Sequence, residues 1–248
     1  MLSKAQLESA SDVAAEALFD AIVDRKLPPG SPLRLKELSE QLGMSMMPVR
    51  EAIRRLAALD LVEIEPRKGA RVRELTMADL EDTYFTRIHL EGLAVHEAAR
   101  RFTPEDGARA AAALAEREAA QAAGDRVGVR DAHERFHFAI YEAAGRPWLN
   151  RSILPVWRNS ERYRVEGMYR ADLAAERDHE HAQLLSAVLR GDGADAVRWL
   201  TAHLGTSVRL AARSLAAEQG ESAPGGSDPD LALPTASQVL AAAGQLDT

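Results

Sequence analysis

The sequence predicts a mainly α-helical protein in which an N-terminal winged helix-turn-helix is followed by an all-α bundle of six helices. Two short helices flank a glycine near residue 43, two short strands enclose a basic turn between Leu61 and Arg73, and the pattern from Thr76 to about residue 217 is helical throughout. We therefore expect one domain over residues 1–75 and an all-helical domain over 76–217. Residues 218–248 are rich in Ala, Gly, Ser and Pro and are predicted to form a disordered tail.

Three helices are predicted before the strands. Apolar residues recur at helical spacing over residues 10–26, and Pro28-Pro29-Gly30 ends that helix. The second helix runs from about Leu35 to Leu42 and stops at Gly43, a residue suited to the left-handed conformation of a helix C-terminus. Ser45 is expected to cap the third helix with its side chain.

The third helix has two different faces. Its apolar residues Val49, Ile53 and Leu56 fall on one side, whereas Arg50 and Arg54 lie four positions apart on another. Strands over Leu61–Glu65 and Ala70–Arg73 are predicted on either side of a turn formed by Pro66-Arg67-Lys68-Gly69. The result is a helix with an arginine face beside a two-stranded ribbon with a basic tip.

A local excess of positive charge coincides with this region, because residues 50–73 carry seven basic and four acidic side chains. The net charge is -7, but residues 1–75 are neutral overall and residues 76–248 carry the whole excess of acidic groups. DNA phosphates require cations, and in a helix-turn-helix the third helix enters the major groove while the preceding helix and the wing meet phosphates. We therefore expect double-stranded operator DNA as a partner. The residues expected to contact it are Lys36, Ser45, Met46, Met47, Arg50, Arg54, Arg67, Lys68 and Gly69. The alternative is that the arginines bind no DNA and only form the water-exposed face of an amphipathic helix.

Composition excludes several other classes of protein. No apolar run approaches the roughly 18 residues needed to cross a bilayer, and the N-terminus lacks the pattern of a signal peptide. We therefore expect a cytoplasmic protein that does not interact with membranes. The chain has no cysteine, so any metal must be held by histidines and carboxylates.

Four histidines of the helical part have an ordered spacing. His133 and His137 are four residues apart and project from one face of one helix, and His181 and His203 lie on the last two helices. Three antiparallel helices can bring such side chains together inside a bundle, where they commonly hold a divalent metal such as zinc or nickel. Taken singly, each histidine is instead an ordinary polar residue. Asp131 and His179 flank the set and can substitute for a member, whereas His89 and His96 are expected to be ordinary residues.

The N-terminal motifs closely resemble the GntR family of bacterial transcription regulators. The matching segments are Leu27-Pro28-Pro29-Gly30, Leu38-Ser39-Glu40-Gln41-Leu42-Gly43, Pro48-Val49-Arg50-Glu51-Ala52-Ile53-Arg54-Arg55-Leu56 and Arg67-Lys68-Gly69-Ala70-Arg71-Val72. The family usually has Ser-Arg-Thr before the Pro-Val-Arg-Glu-Ala segment, and this chain has Ser45-Met46-Met47. The resemblance therefore implies an operator that differs from the common family pattern, with Met46 making apolar contact to a thymine methyl or no contact.

Residues 76–215 resemble the FCD effector domain of the FadR-type branch of that family. The matching segments are Arg87-Ile88-His89-Leu90-Glu91, Arg135-Phe136-His137, His181 with Leu184-Leu185 and Gly191-Asp192, and His203-Leu204. Many such domains bind a metal through one Asp and three His, and this chain has His133 at the Asp position. Either His133 serves as a fourth imidazole ligand, or its different shape weakens or abolishes the site. The resemblance also makes Arg87 the first candidate for binding the carboxylate of a small organic acid.

Together these features predict a homodimeric repressor whose helical domain binds a small carboxylate metabolite, through a metal, and so changes operator binding. An activator or a regulator of both signs is the alternative, because the sign depends on where the operator lies. A metal-dependent hydrolase is a remote alternative, since no HExxH-like or GxSxG motif accompanies the histidines. We therefore do not expect an enzyme.

Overall fold

The computed structural model describes residues 9–164, 174–220 and 231–244, and its described residues are mainly helical. In chain order the elements are α1 (Ala10–Val23), β1 (Pro32–Leu33), α2 (Leu35–Leu42), α3 (Met46–Ala58), β2 (Val62–Glu65), β3 (Gly69–Val72), α4 (Met77–Ala99), α5 (Pro104–Ala123), α6 (Arg126–Ala143), α7 (Pro147–Glu161), α8 (Ala174–Leu189), α9 (Gly193–Glu218) and α10 (Ala236–Gly244). The chain divides into two compact units with a boundary after Thr76, and a short stretch that begins at Glu161 groups with the N-terminal unit. The predicted mainly helical fold, a winged helix-turn-helix followed by a helical domain, is confirmed; the six predicted helices correspond to α4–α9, and the described residues contain α10 in addition.

The N-terminal unit packs three helices against a three-stranded antiparallel sheet of order β1-β3-β2. Val62 pairs with Val72 between β2 and β3, and Leu33 of β1 pairs with Ala70 of β3. The prediction of a two-stranded ribbon was therefore incomplete. Strand β1 has only two residues, one of them proline, so it is too short to show the alternation by which strands are recognised.

The ends of the first three helices follow from their sequences, with one exception. Gly43 ends α2 in the left-handed conformation at φ 63°, as predicted. Ser45 occupies the N-cap position of α3, but its side chain makes no capping hydrogen bond, so that prediction was wrong. A capping side chain commonly accepts from the amide of the third helical residue, and here that residue is Pro48, which has no N–H.

The helical unit is built around α4, which is buried along most of its length and packs against α6, α8 and α9. Helix α5 starts with a capping box between Thr103 and Asp106, and it packs along α6. The sequence pattern predicts a helix over residues 147–166 with a break around Gly167. Helix α7 ends at Glu161 in the structure, and Gly167 lies outside the described residues. This arrangement places residues of α6, α8 and α9 next to one another in the core.

The C-terminal segment contains helix α10, so the prediction of a disordered tail over 218–248 was wrong for residues 236–244. Val239 of α10 is 2% exposed and packs on Gly92 of α4, where a Cβ would lie 2.5 Å from the valine Cγ1. The close approach depends on the missing side chain at Gly92. A single buried valine among alanines is too weak a pattern to distinguish from a tail. Within the described parts of the chain, no helix combines the length and the apolar character required to cross a bilayer.

Candidate DNA-binding surface and histidine cluster

The residues predicted to face bases are exposed at the start of α3. Met46 and Met47 are 52% and 64% exposed, and Ser45 and Arg50 are exposed beside them. Arg54, one turn further, is exposed but donates to the Glu51 carboxylate at 2.7 Å. An exposed ion pair of this kind contributes little to stability, so phosphate can replace Glu51 as the partner.

The wing is a tight turn in which the acidic residue Glu65 lies close to the basic side chains. The Lys68 amide donates to the Glu65 carbonyl at 3.2 Å, and Arg67 and Gly69 have φ values of 69° and 96°. Glu65 also accepts from the Lys68 ammonium at 2.6 Å, and mainly this hydrogen bond holds the pKa of Glu65 below its usual value. Arg71 lies 3.4 Å from the same carboxylate. The exposed wing tip is therefore basic but partly neutralised.

A cleft of about 660 Å³ separates α3 from the sheet. Its charged lining residues are Arg34, Arg50, Arg54 and Lys68. Arg34 was not predicted as a DNA-contacting residue, because it lies in the short link before α2 and outside the charge pattern of the third helix. Lys36, which was predicted, is exposed near the start of α2. This cleft therefore presents cations from the link before α2, from α3 and from the wing.

The structure brings His133, His137, His181 and His203 together in the core of the helical unit. Each offers one ring nitrogen, all four nitrogens lie within 4.8 Å of one another, and all four residues are buried. The Nε2 atom of His137 lies 3.1 Å from Nε2 of His133 and 3.3 Å from Nε2 of His181. His133 therefore points into the cluster. Asp131 and His179, the predicted substitutes, are exposed and do not belong to it.

A chain of buried polar groups backs His137. Its Nδ1 lies 3.1 Å from the Tyr141 hydroxyl, and that hydroxyl donates to Glu91 Oε2 at 2.6 Å. Arg87 donates to both oxygens of Glu91 at 2.6 and 3.2 Å, and to the Ser160 hydroxyl at 2.9 Å. The four side chains that lie behind His137 thus form one connected network.

A separate carboxylate contacts His203. Its Nδ1 lies 2.8 Å from Glu180 Oε2, and the Thr206 hydroxyl donates to Glu180 Oε1 at 3.3 Å. Burial opposes ionisation of Glu180, but the hydrogen bond from His203 and the nearby positive charge keep its pKa below the usual value. Glu180 is therefore a carboxylate at neutral pH.

Arg87, the predicted effector ligand, is 1% exposed and already paired within its own chain. Its guanidinium lies 4.6 Å from the centre of the Trp157 ring. Although burial disfavours the charged form, attraction to Glu91 raises the pKa of Arg87 above its usual value. The arginine is thus a permanent cation in the wall behind His137, and a ligand carboxylate has to compete with Glu91 for it.

Sequence reasoning missed three residues around the histidines, namely Glu91, Tyr141 and Glu180. Two of them had a local signal. Glu91 is four residues after Arg87 and Tyr141 is four residues after His137, which places each pair on one helix face. Glu180 directly precedes His181, but its contact with His203 depends on how α8 and α9 pack and could not be read from the spacing.

An exposed basic helix and wing, followed by a separate helical domain that encloses a cluster of histidines, are typical of a helix-turn-helix transcription regulator. Two family models match the two parts of the chain. The model of the gntR family of bacterial regulatory proteins matches residues 10–72, and the FCD domain model matches residues 82–206. The chain belongs to the GntR family of transcription regulators and carries an FCD domain.

Relatives of this chain are named as transcription regulators. It is 32% identical over 182 residues to the regulator McbR of Escherichia coli, covering 72% of this chain and 81% of that protein. It is 34% identical over 196 residues to a probable D-xylose utilization operon transcriptional repressor of Paenarthrobacter nicotinovorans, covering 78% of this chain and 84% of that protein. The solved structure of E. coli McbR has a TM-score of 0.74 at 27% identity, covering 84% of this chain and all of that one. The families and relatives are regulators and not enzymes.

Proposed function

We propose that this regulator is a homodimeric repressor whose helical domain binds one divalent metal, zinc or nickel, through His133, His137, His181 and His203. In this proposal the metal binds the carboxylate of a small organic acid, and the acid changes the affinity of the N-terminal domain for its operator. Residues 1–75 supply DNA binding, and residues 76–217 supply effector binding and dimerisation. The observation that carries the proposal is the convergence of four buried imidazoles from three helices.

Two of the separations between ring nitrogens are close to those expected around a shared metal ion. Two nitrogens bound to one tetrahedral ion at about 2.1 Å each are about 3.4 Å apart. The Nε2 atom of His137 is 3.1 and 3.3 Å from its two neighbours, close to that value. All four residues are buried, and buried imidazoles from separate helices are typical ligands of zinc and nickel. The same distances also allow hydrogen bonds between imidazoles, and a metal assay distinguishes the two arrangements.

Charge favours an anion as the effector. Four neutral imidazoles leave a divalent ion with its full charge of +2, whereas an aspartate in place of His133 would remove one unit. Arg87 and Glu91 neutralise each other, and Glu180 supplies one negative charge next to His203. A buried site with excess positive charge is stabilised by an anion, and a metal with an open position can bind a carboxylate.

The exposed start of α3 supports operator recognition by two N-terminal domains, one from each protomer of a dimer. Ser45, Met46, Met47 and Arg50 are exposed at the N-terminal end of α3, the part of a recognition helix that meets base edges. A single DNA-binding domain of this size contacts few base pairs, and two-fold dimers ordinarily bind near-palindromic sites. The repressor sign is supported by the relatives named as repressors.

The proposal is tested by selecting DNA duplexes that bind the protein and by adding metal ions and carboxylic acids to it. Duplexes selected by the protein from a random pool are expected to be near-palindromic and to bind much more tightly than unrelated duplex at equal salt. Zinc or nickel should raise the melting temperature, and members of a panel of small carboxylic acids should raise it further only after metal is bound. Equal affinity for every duplex would refute the DNA part. Carboxylates that act equally without metal would refute the metal part.

A further inference from the structure

We infer that Tyr141, Glu91 and Glu180 are positioning residues of the histidine cluster, because they hold the Nδ1 hydrogens of His137 and His203 and thereby turn the Nε2 lone pairs toward the shared centre. The inference builds on the proposed metal site. It also assigns Arg87 to the support of that network, in place of direct contact with an effector.

The donor and acceptor of each hydrogen bond in the network can be assigned by starting from Glu91. The Arg87 guanidinium can only donate, and it donates to both oxygens of Glu91. Both oxygens therefore act as acceptors, and the Tyr141 hydroxyl donates to Oε2 at 2.6 Å. The one hydrogen of the tyrosine is then used, and its oxygen can only accept from any further neighbour.

That neighbour is His137. Its Nδ1 lies 3.1 Å from the tyrosine oxygen, which can only accept, so Nδ1 carries the ring hydrogen. A neutral imidazole with hydrogen on Nδ1 has its lone pair on Nε2. Nε2 is the atom that faces His133 and His181. The network therefore selects the tautomer and the ring orientation that a metal ligand needs.

His203 is held in the same way by a different group. Glu180 Oε2 lies 2.8 Å from Nδ1 of His203, and its other oxygen accepts from the Thr206 hydroxyl. A carboxylate oxygen in this position accepts the hydrogen of Nδ1, and Nε2 is left as the ligand atom. Two of the four imidazoles, one on α6 and one on α9, thus have fixed tautomers before any metal arrives. Removing such an outer partner commonly weakens metal binding about 10- to 100-fold.

The test compares wild type with Tyr141→Phe and Glu180→Gln, and uses Glu142→Gln as the control. Glu142 follows Tyr141 on α6 but is exposed and pairs with Arg109, so the control removes a carboxylate without touching the cluster. Two quantities are measured. Nitrogen-15 NMR of the imidazoles in metal-free protein at about pH 8 reports the tautomers. Competition with a chelator reports the dissociation constant for Zn²⁺.

We expect His137 and His203 of the wild type to carry hydrogen on Nδ1. Tyr141→Phe should change the tautomer of His137 and not that of His203, Glu180→Gln should act mainly on His203, and each should weaken Zn²⁺ binding about 10- to 100-fold. The control should match the wild type in both measurements. Hydrogen on Nε2 of His137 or His203 in the wild type would overturn the inference, and so would unchanged tautomers and Zn²⁺ affinity in both variants.

The two proposals fail in different ways. A wild type that shows the expected tautomers but binds no Zn²⁺ or Ni²⁺ refutes the metal site and leaves the orientation of the imidazoles standing. A wild type that binds metal tightly with the wrong tautomers refutes the positioning role alone. If Tyr141→Phe does not fold, the wild-type tautomers and the Glu180→Gln variant still decide the inference.

Discussion

Replacing Arg87 with methionine separates its two possible roles. The guanidinium makes two hydrogen bonds to Glu91 and one to Ser160, and it is flanked by the rings of Tyr84 and Trp157. Methionine preserves much of the length and apolar volume but leaves Glu91 as a buried charge without its cation. A structural arginine therefore predicts a large loss of stability, whereas an effector ligand predicts a loss of effector affinity.

The burial of the pair sets the size of the effect. The side chains of Arg87 and Glu91 are 1% and 0% exposed, and breaking a buried pair by removing one partner costs about 3–5 kcal/mol. At about 2–4 °C per kcal/mol for a chain of this size, the melting temperature should fall by roughly 6–20 °C. Arg87→Met combined with Glu91→Gln should recover part of the loss, because the second change removes the unpaired charge.

Tryptophan fluorescence during urea unfolding measures the change in the free energy of unfolding of the helical unit. Trp148, Trp157 and Trp199 all lie in the helical unit, so the signal reports that unit. Arg109→Met is the matched control, since Arg109 pairs at the surface, where such pairs contribute at most about 1 kcal/mol. An Arg87→Met protein within about 1 kcal/mol of wild type that no longer responds to carboxylates would refute the reasoning and restore Arg87 as an effector ligand.

Three further changes test other parts of the molecule. Arg50→Ala should weaken binding to a selected duplex roughly 5- to 150-fold, measured by fluorescence anisotropy, because one arginine–base contact contributes about 1–3 kcal/mol; an equal loss on unrelated duplex would contradict a base contact. Hydrogen bonds from Ser9 and then Arg55 lower the pKa of Asp12 from 3.8 to about 2. The stability that this carboxylate adds is therefore complete above about pH 4 and is lost as the pH falls toward 2. Asp12→Asn should flatten the acid unfolding curve in that range, and an unchanged curve would refute the contribution. Gly92→Ala should push α10 away from α4 and speed hydrogen exchange over residues 236–244, and unchanged exchange there would show that the α10 valine adapts.

Local signals in the sequence predicted most of the elements, because helices and turns depend on nearby residues. Gly43 ends α2 and Thr103 starts α5 as their residue types require. Strand β1 was missed because it exists only through its pairing with β3. Ser45 does not cap α3 because Pro48, the third helical residue, has no amide hydrogen to donate. Helix α10 could not be predicted because it depends on the close approach of Val239 to Gly92 of α4.

The candidate site shows the same division between local and distant relations. The spacing of His133 and His137 placed both on one helix face, and the structure brings His181 and His203 to them. The role of Glu180 could not be predicted, because its contact with His203 crosses between two helices. The resemblance to the FCD domain drew attention to Arg87, but its burial against Glu91 was not predicted. A single sequence does not show whether an arginine pairs with a glutamate of its own chain or with the carboxylate of a ligand.

Metal analysis of the purified protein tests the central claim most directly. After addition of Zn²⁺ or Ni²⁺ and removal of the excess, elemental analysis should find about one equivalent per chain in the wild type. The His133→Ala protein should hold much less, because one of four ligands is missing and the remaining imidazoles lose a neighbour at 3.1 Å. Wild type without stoichiometric metal, or a His133→Ala protein that binds as much metal with equal affinity, would contradict the four-histidine site.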